Sequence, residues 1–195
     1  MEILVVDIEI ANIDVTEDTW DVENCLICEI GIVNLNLDSG EIIPVFNQTC
    51  REDDSPDPES WVFKNTSLTC QMIAESAHFE EFKDGLQEIF NRKPVTSWGH
   101  DFDLHHLECP SRCLTIPSKF WDPKRTLTNF LKIPFNSGTG YKWPKVTEAC
   151  KCLCPNKKCK QDHRGLDDAT IEAEIIFKAT EKWPILKNEW EQYVS

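Results

Sequence analysis

No stretch of this 195-residue chain approaches the roughly 20 consecutive apolar residues needed to cross a bilayer. No basic segment, apolar run and small-residue cleavage site open it either; an apolar strand begins at once. Neither a membrane span nor a secretory leader is expected, and the location these absences point to is cytoplasmic. Cations are also scarce: 20 Lys and Arg stand against 34 Asp and Glu, for a formal net charge of −14. A field of that sign repels polyanions. It argues against a passive nucleic-acid-binding module, which is normally basic, but not against an enzyme that grips one strand end through metal ions and a few local cations. The ten cysteines show no paired framework. In an intracellular protein they read as reduced thiols or metal ligands rather than disulfides. Internal repeats and interdomain linkers are missing as well, so residues 1–195 read as a single domain. What is present is 41% hydrophobic residues, enough for one sizeable core.

Residues 2–8 read as a buried strand. Ile27 to Asn36 alternates apolar and polar residues, "LDSG" supplies a turn, and Glu41 to Phe46 returns, so this stretch is a hairpin. The acidic, proline-containing residues 50–60 form a loop. Leu68, Met72, Ile73, Phe79, Phe82, Leu86, Ile89 and Phe90 have helical spacing, in two helices broken near Ser76–His78. "KPVTSWG" is a short fourth strand and "DFDLHHLE" opens a helix. "IPSKFWDPKRTLTNFL" gives a short fifth strand, then a helix from about Pro123. "KWPKVTEACKCL" and "HRGLDDATIEAEIIFKATEKW" are two more helices, and residues 184–194 a last one. Early strands followed by alternating helices mean an α/β protein with a central mixed five-stranded sheet flanked by helices.

Three acidic pieces carry the chemical signal. Side chains two apart on a strand face the same way, so Asp7 and Glu9 project together. Two carboxylates at a partly buried site repel and hold raised pKa values unless a divalent cation joins them; a solvated strand end is the other reading. In "SWGHDFDLHHLE", Asp103 stands at a helix start, where the helix dipole also favours acids. Asp101 is either an N-cap or the alternative acid of this piece. His105 and His106 read as surface residues. In "HRGLDDATIEAEI", His163 precedes a helix bearing Asp167 and Asp168, and Gly165 and Ala169 are small enough to let that helix pack closely on the sheet.

Asp7-Ile8-Glu9, Phe102-Asp103-Leu104, and His163 followed by Asp168-Ala169 together resemble the DEDDh (DnaQ-like) 3′→5′ exonucleases. "VTSWG" and "HRGLDDA" are most similar to the Eri-type RNA-trimming branch. The resemblance covers residues 2–178. Where the family often places a polar turn after D-x-E, this chain has Ile10-Ala11-Asn12. The resemblance implies a ribonuclease H-like fold and two-metal phosphodiester hydrolysis, with two Mg²⁺ or Mn²⁺ ions held by Asp7, Glu9, Asp103 and Asp168. It implies His163 as general base. Nucleoside 5′-monophosphates would leave single-stranded RNA or DNA 3′ ends, RNA favoured. Readings of other kinds are a phosphodiesterase acting on short oligonucleotides and a non-catalytic scaffold of nuclease fold. With no accessory nucleic-acid-binding domain, specificity would come from the site or from a protein partner.

Two further groups bear on binding. The segment Lys151 to Arg164 carries Lys157, Lys158, Lys160 and Arg164 and runs into His163; it is either a phosphate-contacting edge or a solvated loop. Trp98 and Phe102 either stack on a base or pack in the core. Cys150, Cys152, Cys154 and Cys159 fall within ten residues, a candidate Zn²⁺ site although the C-x2-C spacing is lacking.

Overall fold

The computed structural model describes residues 1–12, 24–157, 159–161 and 163–188. The elements are β1 (Glu2–Ala11), β2 (Leu26–Asn36), β3 (Ile42–Thr49), α1 (Trp61–Asn65), α2 (Cys70–Ala74), α3 (Lys83–Phe90), β4 (Val95–Thr96), α4 (Asp103–Leu107), α5 (Pro123–Leu131), α6 (Val146–Leu153) and α7 (Gly165–Lys182). The strands form one sheet in the order β3-β2-β1-β4; β1 runs antiparallel to β2 and parallel to β4. Among the described residues no helix is long and apolar enough to cross a membrane.

β1 lies inside the sheet with a helix layer on each face, which is why its apolar run is continuous. The period of two then sorts its side chains. Ile3 and Val5 pack with Phe120 and with Ala169, Ala173 and Ile176 of α7. Leu4, Val6, Ile8 and Ile10 pack with Leu86 and Phe90 of α3 and Leu104 and Leu107 of α4. Each such side chain contributes roughly 1.5–3 kcal/mol by leaving water. Asp7 and Glu9 continue the odd series and so face α7.

Helix α7 can approach because two glycines meet. A Cβ on Gly31 of β2 would lie 2.0 Å from the Gly165 carbonyl carbon, and one on Gly165 would lie 2.7 Å from the Gly31 nitrogen. Gly31 is also the residue opposite Asp7 in the strand register. The first turn of α7 is therefore seated beside Asp7, and Asp168 arrives with it.

The expected fifth strand reduces to a single parallel bridge between Val95 and Lys119. Val95 donates to the Ser118 carbonyl at 2.9 Å, and Phe120 donates to the Val95 carbonyl at 2.8 Å. The pairing goes no further because β4 has only two residues and Pro117 and Pro123 bracket its partner. The sheet therefore has four strands rather than five. The helical stretch around residues 68–90 does break at Ser76–His78, where His78 caps a 3-10 turn over Phe79–Glu81. Helix α1 falls where no element was expected. Residues 185–188 are helical; the remainder of the expected helix 184–194 lies outside the described residues.

Candidate active site

Three elements deliver acids to one cleft of about 470 Å³. β1 brings Asp7 and Glu9, the start of α4 brings Asp103, and α7 brings Asp168 and, one turn later, Glu172. Glu9, Asp103, Asp168 and Glu172 are all buried, at 7%, 6%, 1% and 1% exposure. Atoms of Glu9, His163 and Asp168 that could ligate a cation lie within 4.8 Å of one another. The Asp7 Oδ2 is buried with no hydrogen-bond partner.

Burial and mutual repulsion work against ionisation here. Burial first, then the charges of Glu172, Asp103, Glu9 and Asp168, push Asp7 far above the carboxylate range. Burial, then Asp168, Glu29 and Asp103, raise Glu9 to about 8, with Arg164 opposing. Burial raises Asp103 to about 7 against the Ile8 N–H, which favours its charged form. Burial, then Asp103 and Asp168, push Glu172 far up. A cluster that resists charge this strongly and contains an unsatisfied oxygen suits hard divalent cations, which take oxygen ligands and reverse the local pKa logic.

His163 sits just before α7 with φ +51°, a backbone state that costs a residue with a side chain about 1 kcal/mol or more. Its Nδ1 is 3.8 Å from Asp168 Oδ2, and the Trp61 ring meets it edge-on with centroids 4.9 Å apart. Gln161 donates to Asp168 at 3.3 Å.

Other expected residues are placed differently. Arg164 is engaged by Glu29, which is 1% exposed: the guanidinium Nε donates to both carboxylate oxygens at 3.0 and 2.9 Å, and the Gly165 N–H donates to the same carboxylate at 2.9 Å. This pair fixes the entry to α7, so Arg164 braces the fold, where a phosphate contact or a solvated loop was expected. Trp98 is 8% exposed and its indole N–H donates to the Pro144 carbonyl at 3.0 Å. It lines the cleft, yet packs with Leu127, Val146 and Ile175 in the core, which leaves little of its ring to a base. Phe102 lines the cleft but packs partly on the core. Asp101 accepts from Lys124 at 3.1 Å and Arg125 at 3.3 Å, and is not among the acids lining the cleft. Lys157 pairs with Glu174 and lines a separate cavity of about 600 Å³ that shares no residue with the acid cleft. Lys160 is exposed, and Lys158 lies outside the described residues. His106, expected at the surface, is fully buried; its Nδ1 lies 2.7 Å from the Phe102 carbonyl, and burial pushes its pKa down to about 4.

The candidate zinc group is corrected, and with it the expectation that the cysteines form no disulfide. Cys150 and Cys159 are joined in a disulfide, which uses up two of the four thiolates such a site needs. Cys152, two residues along α6, points elsewhere and is exposed. The bond ties α6 to the segment that leads to His163.

Glu172 and Glu29 were not anticipated. Glu172 was in principle visible, since it stands four residues after Asp168 on a helix and shares its face. Glu29 is the one charged residue within "LICEIGIV", an acid in a buried strand that requires a partner.

Sequence comparison gives the family of the chain. The RNase_T exonuclease family model matches residues 4–176, so the chain belongs to that exonuclease family. No curated protein matches it by sequence. Among solved structures it is similar to a full-length 3′-exonuclease (TM-score 0.68, 19% identity, covering 93% of this chain and 60% of that one). It is similar to the nuclease domain of 3′hExo, a DEDDh family member bound to rAMP (TM-score 0.66, 19% identity, 93% and 92% covered). It is also similar to E. coli Exonuclease I in complex with a dT13 oligonucleotide (TM-score 0.71, 10% identity, 96% and 43% covered). The chain thus spans about three-fifths of the full-length 3′-exonuclease. The fold is the ribonuclease H-like one of the DEDDh nucleases, which generally use divalent metal ions.

Proposed function

We propose that this chain is a metal-dependent 3′→5′ exonuclease that hydrolyses single-stranded nucleic acid, RNA in preference to DNA, to nucleoside 5′-monophosphates. Residues 2–178 would be the catalytic unit. The observation that carries the reading is the convergence of Asp7, Glu9, Asp103 and Asp168 from three elements beside His163, 3.8 Å from Asp168. The rAMP bound by the similar nuclease domain of 3′hExo supports ribonucleotides as substrate.

Asp7, Glu9, Asp103 and Asp168 would hold two Mg²⁺ or Mn²⁺ ions. Bound there, these ions supply charge neutralisation at the scissile phosphate and acidify water near it. His163 takes the proton of the attacking water, a task suited to imidazole at neutral pH. Asp168 faces the ring and stabilises the imidazolium that results. Trp61, edge-on to the ring, restricts its rotation. The Glu29–Arg164 pair holds the backbone from which His163 projects, and the Gly31–Gly165 contact fixes Asp168 against β1. Water adds to phosphorus and the bond to the 3′ oxygen breaks, so the phosphate leaves with the terminal nucleoside.

The test is incubation of the purified chain and His163→Ala with 5′-labelled single-stranded RNA and DNA, in Mg²⁺, Mn²⁺ or EDTA. A metal-dependent ladder shortening from the 3′ end, reduced by orders of magnitude in the variant, is expected. No hydrolysis of either polymer with any metal would remove the reading and favour a substrate of another kind.

A further inference from the structure

Two exposed tryptophans line the cleft. Trp61, 46% exposed, stands beside His163. Trp143, 55% exposed, belongs to the turn before α6, with Lys124 Nζ 5.1 Å and the Arg125 guanidinium 5.6 Å from its ring centroid. Trp61 opens α1, which packs on β1. The Trp143 turn is held instead at the β4 side, through Trp98. Both indoles and the acids line the same cleft.

Trp143 is held in place. Trp98 donates its indole N–H to Pro144 at 3.0 Å, and its backbone N–H to Glu172 at 3.2 Å. The turn is thereby tied to the acid cluster itself. Its cations are held too, since Asp101 accepts from both Lys124 and Arg125. An indole that remains half in water, is anchored in a cleft and has two cations set over its ring, in a chain of net charge −14, is an arrangement for stacking a base on its open surface beside a phosphate.

We propose that Trp143, with Lys124 and Arg125, forms a second nucleotide subsite: a base of the single strand 5′ to the bond being cut stacks on the indole, and a neighbouring phosphate meets the two cations. The inference rests on the exonuclease reading and adds where the strand upstream of its last nucleotide lies. Every base has a π face, so the subsite tolerates any sequence. A mononucleotide fills only the terminal position, while a longer strand engages both.

The experiment measures binding of a labelled single-stranded RNA of about ten nucleotides, and of a nucleoside 5′-monophosphate, by the whole chain carrying His163→Ala to suppress turnover. Adding Trp143→Ala should weaken the strand roughly 10-fold or more and the monophosphate far less; Trp143→Phe should recover most of the loss. Lys124→Ala with Arg125→Ala should flatten the salt dependence by about 1.4 in log–log slope. Normal strand binding by Trp143→Ala overturns the subsite, as does an equal loss for strand and monophosphate. If the His163→Ala parent itself binds no strand in any metal, the exonuclease reading fails, a result distinct from a parent that binds and a Trp143 variant that binds equally well.

Discussion

Stripped of divalent cations, the protein should lose stability as pH rises from about 5 to 8. Glu9 moves from 4.5 to about 8 and Asp103 from 3.8 to about 7, burial being the main cause in each. In the unfolded chain these acids release their protons near pH 4. In the folded chain they keep them until pH approaches 7 or 8. Across that window the native state binds more protons than the unfolded state, so the free energy of unfolding falls as pH rises. Below about pH 4 both states are protonated and the penalty is absent; above about pH 8 it is complete. At about 1.4 kcal/mol per pKa unit, either acid alone accounts for a loss on the order of 5 kcal/mol. The acids titrate as a group, so the losses do not simply add. Asp7 and Glu172 are pushed the same way. A chain of this size should then show a melting temperature roughly 10 °C lower at pH 8 than at pH 5.5 in EDTA. Saturating Mn²⁺ should recover most of the difference, because bound cations remove the repulsion. Thermal unfolding followed by circular dichroism at both pH values, with and without Mn²⁺, gives the answer. A melting temperature in EDTA that is flat or rises over this range would refute the reasoning, as would Mn²⁺ acting no more strongly at pH 8 than at pH 5.5.

Four further outcomes are expected. Glu172→Gln keeps an acceptor for the Trp98 N–H and removes an acid whose ionisation burial opposes in the folded chain alone, so in EDTA at pH 8 it should stabilise the chain by about 1 kcal/mol or more; denaturant unfolding checks this, and a clear loss contradicts it. Arg164→Ala leaves Glu29 buried without its cation and should cost about 3–5 kcal/mol, read from urea midpoints; a stable variant with only weakened strand binding would restore the phosphate-contact reading of Arg164. Gly165→Ala places a Cβ 2.7 Å from the Gly31 nitrogen, so α7 must shift; unfolding should be easier by about 2 kcal/mol or more, with divalent cation affinity lowered in calorimetric titration. Thiol titration of the denatured, unreduced protein should count the eight free cysteines, and metal analysis should find no stoichiometric zinc; ten thiols with one zinc would reinstate the cysteine cluster.

Some of this architecture could be read locally. β1 was legible because an unbroken apolar run with D-x-E inside it is both a buried strand and a statement about which face the acids share. Gly165 and Ala169 announced a helix seated close on the sheet, and Gly31 proves to be what Gly165 sits against. The shortened fifth strand depends on how far β4 extends, which the prolines on its partner side limit. Glu29 and Arg164 are 135 residues apart, and nothing local pairs them, so an arginine destined for a buried acid looked like part of a basic loop. For Trp98 the sequence left base stacking and core packing both open, because burial is a property of the assembled core. Glu172 lay one helical turn beyond the family's spacing, and only its burial beside Asp103 and Asp168 gives it weight. The Cys150–Cys159 bond needs two segments brought together in three dimensions, which spacing alone does not disclose.

The most direct test of the central claim uses a single-stranded RNA labelled in its last nucleoside. With Mg²⁺ or Mn²⁺, the first labelled product should be that nucleoside's 5′-monophosphate, released before any shorter internal fragment, and blocking the 3′ hydroxyl end should suppress it. A labelled oligonucleotide fragment as the first product, or release of the terminal nucleoside without its phosphate, would contradict water attack at the terminal phosphodiester with departure of the 3′ oxygen at the centre of Asp7, Glu9, Asp103, Asp168 and His163.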